Sequence, residues 1–351
     1  VHNPVVRGWV MTSVKEFEVL QPPGPDSAGV GAFHFTDRYS IFDWGEMPDR
    51  LDRKGAALCT MGAHTFERLE SAGIPTHYRG VGDPTAPVPL DEMAAPPRRM
   101  VIELTQTPSL PNGGTGYDYE AYHAAGGAHH LVPLEVVYRN AIPPSSSVRR
   151  RLTPAEVGLD GAEWPAETLT LDRPLVEFST KFEPTDRYLS RAEAMAVAGP
   201  ASLDALEALA LEVNRTVTAI ATEAGFDHLD GKIECLYAAG ELRVADVAGT
   251  FDENRFRYDG FPVSKEVLRM FYRRTAPGWI DAIRAAKRSG DADWQAAVDV
   301  APPPLPVAVR AGVERLYQSG ADRYCGSAQF DAGDLPMAIA QLQSLTDGQN
   351  S

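Results

Sequence analysis

The chain has three cysteines in 351 residues, no long apolar run, and too few basic residues to balance its acidic ones. Cys59, Cys235 and Cys325 are odd in number, far apart and form no CxxC pair, which argues against a disulfide framework or a structural zinc site. Three reduced thiols are expected. No stretch of 18 or more apolar residues occurs, so no transmembrane helix is expected. The N-terminal VHNPVVRGWVMTSVKEF carries an arginine in its middle and too short an apolar stretch for a signal peptide. The expectation is a soluble, cytoplasmic protein without a membrane partner, with Met11 a candidate start and the first ten residues a flexible extension. With 33 Lys and Arg against 48 Asp and Glu, the net charge of -15 argues against general nucleic-acid binding. Any anionic ligand must therefore be held by a local cluster of cations.

What is present is an ordinary globular composition, 44% hydrophobic and 23% charged, in a chain long enough for two lobes. Period-two alternation marks strands at KEFEVL (15–20) and GAFHFTD (31–37), joined by the turn-rich QPPGPDSAG. From Lys54 the spacing becomes helical and stops at Gly73 before Pro75, predicting a helix over 55–72. RMVIELTQ (99–106) and LVPLEVVYRN (131–140) read as strands, and the Gly-rich stretch between them as a long irregular insert at 108–130. A long amphipathic helix is expected over 201–225. SKEVLRMFYRRT, GWIDAIRAAKRSG and PVAVRAGVERLYQSG also read as helical, the last after a PPPLP spacer. Strands and helices without regular βαβ alternation indicate an α+β fold. GVGAF (29–33) and GGTG (113–116) lack the context of a phosphate-binding loop and read as ordinary turns. His123, His129 and His130 lack the spacing of a metal motif and read as solvated.

Residues 230–255, DGKIECLYAAGELRVADVAGTFDENR, crowd acids and a lysine around a hairpin. In a strand Asp230, Lys232 and Glu234 share one face, while Gly231, Ile233 and Cys235 share the other. A three-residue loop, Ala239-Gly240-Glu241, would pair Ala238 with Leu242 and set Glu234 opposite Asp246. Two facing carboxylates repel, a cost that a divalent cation such as Mg²⁺ would remove. An exposed acidic hairpin is the competing reading, and a two-residue loop would break the pairing by setting Glu234 against Ala245.

Several stretches, in order, resemble SAICAR synthetases: FTDRYSIFDWGEMPDRLDRKG (35–55), AGIPTHY (72–78), VPLEVVYRN with Ser145, PLVEFSTKFEPTD (174–186), DGKIE (230–234), ADVAGTFDENRF (245–256) and SKEVLR (264–269). The resemblance implies a two-lobed α+β fold: an N-terminal lobe with an antiparallel sheet over 1–130, a lobe binding ATP, Mg²⁺ and ribonucleotide over 131–300, and a helical extension over 301–351. It implies an ATP-dependent ligase of purine biosynthesis. The carboxylate of carboxyaminoimidazole ribonucleotide would be activated as an acyl phosphate and attacked by the amine of L-aspartate, giving the succinocarboxamide, ADP and phosphate. By position, Lys15, Glu135, Glu234 and Asp246 are the ATP-side residues, Glu234 and Asp246 holding the metal. Asp230, Lys181 and Lys232 are catalytic candidates near the reacting groups. Arg139, Ser145 and Arg255 resemble the grip on the ribonucleotide phosphate. Asp252, Asp186, Lys265 and Arg269 fall on the substrate and aspartate side, while Asp37, Ser40, Asp43 and Lys54 lie in a loop expected to close over the ligands. The partners implied are small molecules, with a homo-oligomer also allowed.

The chain departs from the family pattern at Thr12-Ser13-Val14-Lys15, at Pro143-Pro144-Ser145, at Asp246-Val247 and in an extra residue before Asp252. Those departures leave open a paralogue that ligates aspartate to a related ribonucleotide in a purine-like nucleoside pathway, or a non-catalytic nucleotide-binding homologue.

Overall fold

The computed structural model describes residues 9–11, 14–113, 116–161, 163–183, 185–289 and 293–347. Alternating apolar residues build two antiparallel sheets. The first contains β1 (Trp9–Met11), β2 (Lys15–Gln21), β3 (Gly29–Phe35), β4 (Tyr78–Asp83), β5 (Ala86–Val88) and β6 (Arg99–Leu104), in the order β1-β2-β3-β6-β4-β5. The second contains β7 (His129–Leu131), β8 (Leu134–Ile142), β9 (Leu169–Thr180), β10 (Asp227–Ala238), β11 (Glu241–Ala245), β12 (Asn254–Tyr258) and β13 (Phe261–Pro262). Its path is β13-β12-β10-β8-β9, and the distal half of β10 also pairs with β7 and β11. Thr76 bridges Val244 and Gln106 bridges His130, tying the end of one sheet to the other.

Among the described residues the helices are α1 (Lys54–Ser71), α2 (Tyr119–Gly126), α3 (Val148–Arg151), α4 (Arg191–Ala198), α5 (Leu203–Glu223), α6 (Glu266–Thr275), α7 (Pro277–Lys287), α8 (Val307–Cys325) and α9 (Leu335–Asp347). α1 is buried on nearly all sides, with Ala57, Cys59, Met61, Ala63, Phe66 and Leu69 inaccessible. It packs against the first sheet, α5 and α8, so its apolar character all round is what a core helix needs. α5 covers β8, β9 and β10 with Leu206, Val213, Val217 and Ile220, one face of its 3.6-residue period. No single helix among the described residues is long and apolar enough to cross a membrane.

The α+β architecture and the strands and helices at 15–20, 55–72, 99–106, 201–225 and 264–275 follow the sequence reading. Several local expectations do not. GVGAF is not a turn but the start of β3. Trp9 and Val10, expected in a flexible extension, pair with β2 together with Met11, while residues 1–8 lie outside the described residues. The insert at 108–130 is not wholly irregular: Asp118 accepts the Ala121 N–H and starts α2, and β7 begins before the insert ends. The GGTG turn falls partly on residues 114–115, which lie outside the described residues. His123 and His130 are not solvated but joined ring to ring at 3.1 Å, and the second His123 nitrogen donates to the Val197 carbonyl.

Candidate active site between the two sheets

Two cavities of about 580 and 630 Å³ lie side by side and share Val14 and Glu253 in their walls. Their common boundary comes from the central strands of the second sheet. β8 presents Glu135, Val137 and Arg139 on one face; β10, in register with Asp230 opposite Arg139 and Lys232 opposite Val137, presents Asp230, Lys232 and Glu234 beside them. The opposite face of β10 puts Ile233 and Cys235 in the core. This alternation is the one expected from the sequence.

The hairpin register is not. Ala238 pairs with Glu241 across a two-residue turn, and Glu234 faces Ala245 rather than Asp246. Ala239 and Gly240 both take positive φ, 51° and 95°, as the two-residue turn favoured by right-handed strand twist requires. Asp246 follows the strand with φ 59°, a left-handed conformation that aspartate tolerates better than most residues. The bend lets its carboxylate line the same cavity as Glu234 without the cross-strand pair.

The larger cavity lies between the sheets. Phe17, Phe33, Ile102 and Leu104 of the first sheet face Leu131 and Leu236 of the second, with Phe182 closing one side. Its charged end holds Lys15, paired with Asp246, and Lys181, paired with Glu234. Lys15 also sits 4.6 Å from the Phe33 ring centroid. Lys232 bonds Glu135 at 2.7 Å and lies 3.5 Å from both Glu234 and Glu253. Three lysines and four carboxylates therefore meet where the cavities join. Burial opposes the charge on Lys181, yet Glu234 and Asp246 raise its pKa; burial likewise opposes that of Lys232, yet Glu253, Glu234 and Glu135 hold it far up. Asp246 is driven well below the usual carboxylate range, because Lys15, Lys232 and Lys181 outweigh its burial. Beside it, burial pushes His77 down to about 4, and this neutral ring donates from Nε2 to the Asp246 carbonyl at 3.0 Å.

The smaller cavity is lined by guanidinium, ammonium and carboxylate groups. Asp230 Oδ2 accepts from Arg139 at 3.1 Å and Arg255 at 2.9 Å, so three adjacent strands contribute one Arg-Asp-Arg row. Arg139 also donates to Glu177 at 2.6 Å and to the Tyr188 hydroxyl at 3.1 Å. Ser40, Asp43, Asp186, Asp252, Lys265 and Arg269 complete the wall. Burial and the neighbouring Asp43 raise the Asp186 pKa, while burial lowers that of Lys265.

Three residues expected at the ligands lie elsewhere. Asp37 binds Arg98 bidentately at 2.7 and 2.9 Å and accepts the Gly55 N–H, capping α1 instead of lining either cavity. Lys54 is wholly buried and reaches the site only through Asp252, which it bonds at 2.7 Å. Ser145 lines a side cavity of about 310 Å³ that shares Arg255 and Ser264 with the smaller main one. Conversely, Glu253 and the aromatic wall of Phe17 and Phe33 were not singled out from the sequence. Glu253 had a signal in its place beside Asp252; the wall had none, because it is assembled by pairing between distant strands.

Solved structures share this two-sheet architecture. A SAICAR synthetase in complex with ADP matches with a TM-score of 0.57 at 21% identity, covering 91% of this chain and 98% of that one. The Saccharomyces cerevisiae SAICAR synthase complexed with SAICAR gives 0.61 at 18% identity, covering 93% and 98%. These define the fold class. The SAICAR synthetase family model matches residues 25–284. An Archaeoglobus fulgidus protein provisionally named phosphoribosylaminoimidazole-succinocarboxamide synthase is 41% identical over 345 residues, 96% of this chain and all of its own length. The Thermoplasma volcanium enzyme of that name is 29% identical, covering 76% of this chain and 84% of its own. The chain belongs to the SAICAR synthetase family, a family of ligases.

Proposed function

We propose that the protein joins L-aspartate to the carboxylate of carboxyaminoimidazole ribonucleotide at the expense of ATP. The observation that carries this reading is the junction: an apolar-walled cavity and a guanidinium-lined cavity meet at a cluster of three lysines. The apolar cavity suits an adenine base, with its triphosphate directed to Lys15, Lys181 and Lys232. The other suits a phosphoribosyl imidazole, its phosphate taken by Arg139 and Arg255, which Asp230 holds apart from each other's charge. Lys265 and Arg269, four residues apart at the start of α6, offer two cations to the carboxylates of aspartate.

In the chemical step an oxygen of the substrate carboxylate attacks the γ-phosphorus, and the bond from phosphorus to ADP breaks. The aspartate amine then attacks the acyl carbon, phosphate leaves, and the nitrogen loses a proton. The lysines neutralise the phosphoryl oxygens as charge develops, so catalysis is chiefly positioning and electrostatics. The donor set fits Mg²⁺. Glu234 and Asp246 are two hard oxygen donors in one cavity, and among the described residues no group of three metal-ligating side chains forms a complete cage. Such a pair is what Mg²⁺ takes when phosphates and water fill its remaining positions. Bound there, it would supply neutralisation of the phosphate oxygens.

The test is ADP release by the purified protein with Mg-ATP, L-aspartate and the ribonucleotide, each omitted in turn, with mass spectrometry of the product. Release that needs every component and yields the succinocarboxamide is expected. Mg-ATP binding with no product would point instead to a related ribonucleotide, a reading favoured by the displacement of Ser145 to the side cavity.

A further inference from the structure

The family model ends at residue 284, but contacts to the site continue past it. Asp252, in the wall of the smaller cavity, is bonded by two side chains that do not line that cavity. Its Oδ2 accepts from Lys54 of α1 at 2.7 Å, and its Oδ1 accepts from the hydroxyl of Tyr317 on α8 at 2.9 Å. Lys54 and Tyr317 are fully buried, and the Lys54 ammonium lies 5.3 Å from the centroid of the Tyr317 ring. The seat of α8 is tight: the Tyr317 ring meets Phe251 edge to face at 5.8 Å, and a Cβ at Gly320 would come within 2.5 Å of the Phe251 ring. The same helix binds the backbone just before α1, where Gln318 donates to the Asp52 carbonyl at 2.9 Å and Glu314 accepts the Asp52 N–H at 3.0 Å.

We propose that Tyr317 is a positioning residue for the ribonucleotide side of the site, fixing the Asp252 carboxylate and with it the 252–255 segment that carries Glu253 and Arg255. This inference rests on the proposed ligase activity for its choice of ligand. The physical argument is one of satisfaction. The Asp252 side chain is only 8% exposed, and a buried carboxylate oxygen that loses its donor must be resatisfied by moving. Of the groups it would carry along, Arg255 faces the ribonucleotide cavity and Glu253 the boundary of the two, whereas the apolar wall of the nucleotide cavity belongs largely to the other sheet. The C-terminal helices are on this account part of the binding site.

Tyr317→Phe isolates the hydroxyl, because the ring and its contacts with Phe251 and Lys54 remain. The expected result is a rise of about tenfold in the KM for the ribonucleotide, the size of one hydrogen bond to a charged group, with the KM for ATP unchanged. In an Asp252→Asn background the same substitution is expected to add little, since the two residues act through one bond. An unaltered ribonucleotide KM, equal rises for both substrates, or a full additional loss in the Asp252→Asn background would overturn the proposal. Should the wild-type protein make no succinocarboxamide, the proposed activity fails, but calorimetry with ribose 5-phosphate still decides the inference. Weaker binding by Tyr317→Phe than by wild type supports it; equal affinity, or no binding by wild type, overturns it.

Discussion

The two cavities handle charge in opposite ways. In the apolar-walled cavity the ionic groups satisfy one another across a space the ligand would fill: Lys15 holds Asp246 and Lys181 holds Glu234. On the proposed function, phosphate oxygens and a cation would replace those partners with better ones, and the pairs would exchange on binding. In the other cavity the guanidiniums have permanent partners. Arg139 is fixed by Glu177, Tyr188 and Asp230, and Arg255 by Asp230, in strand register that needs no ligand. One side is neutralised until used and the other is preorganised. On the proposed function, that division suits a site where charge moves on the nucleotide side while the ribonucleotide is held still.

The sharpest way to break this comparison is to remove an exchanging carboxylate. Glu234→Ala or Asp246→Ala should lower ATP-dependent turnover by roughly a thousandfold or more, the range typical of losing a group that stabilises transferring charge. Circular dichroism and the thermal midpoint should show an intact fold. Wild-type turnover in either variant would mean that the pairs with Lys181 and Lys15 are merely structural.

Next in size is the preorganised side. Arg255→Ala removes a charge-assisted contact and should weaken ribonucleotide binding by about 30- to 100-fold, about 2–3 kcal/mol, leaving ATP binding near wild type. Titration calorimetry with each ligand separately reads both numbers. Equal losses would show that the cavities are not independent.

How much of this was legible beforehand depends on the range of the interaction. The Asp230-Lys232-Glu234 row could be read because strand alternation is local and β10 obeys it. The hairpin register could not, because Ala-Ala-Gly-Glu fits a two- or a three-residue loop, and a one-residue difference changes every partner. Asp246 still reaches the site through a left-handed backbone turn that no periodicity encodes. α2 had a capping aspartate at Asp118 and a stop at Gly127, but its glycine-rich flanks hid it. Phe17 and Phe33 became cavity walls only once β2 and β3 were set against β10, which is tertiary information.

A third prediction concerns the permanent pairs as part of the fold. Burial would raise the Asp252 pKa, but Lys54, Lys265 and the Tyr317 hydroxyl outweigh it and bring it down to about 2 from the ordinary 3.8. A depressed folded-state pKa means that the unfolded chain takes up its proton first as pH falls. The stabilisation is therefore fully present above pH 3.8 and is lost between 3.8 and about 2. It amounts to roughly 2 kcal/mol by linkage. Denaturant melts of wild type and Asp252→Asn across that window should show the steeper fall in wild type; parallel acid limbs would remove Asp252 from the permanent set.

The smallest effect is expected where the loop over the smaller cavity meets α7. Phe42 and Asp43 both take positive φ, 56° and 59°, conformations that cost non-glycine residues on the order of 1 kcal/mol or more each, so something must hold them. Lys287 pairs with Asp43, but the two side chains are 35% and 84% exposed, where solvent screening leaves an ion pair about 0–1 kcal/mol. The stronger restraint is aromatic. Trp279 is buried against Phe42 and Trp44, with ring centroids 6.0 and 5.6 Å away, and Trp44 also meets Trp294 at 6.2 Å. Lys287→Met should therefore change the ribonucleotide KM by less than about fivefold and become indistinguishable from wild type at high salt. A larger change that persists in high salt would mean that the loop is held by this one pair, and that the cavity beneath it is less preorganised than the Arg-Asp-Arg row implies.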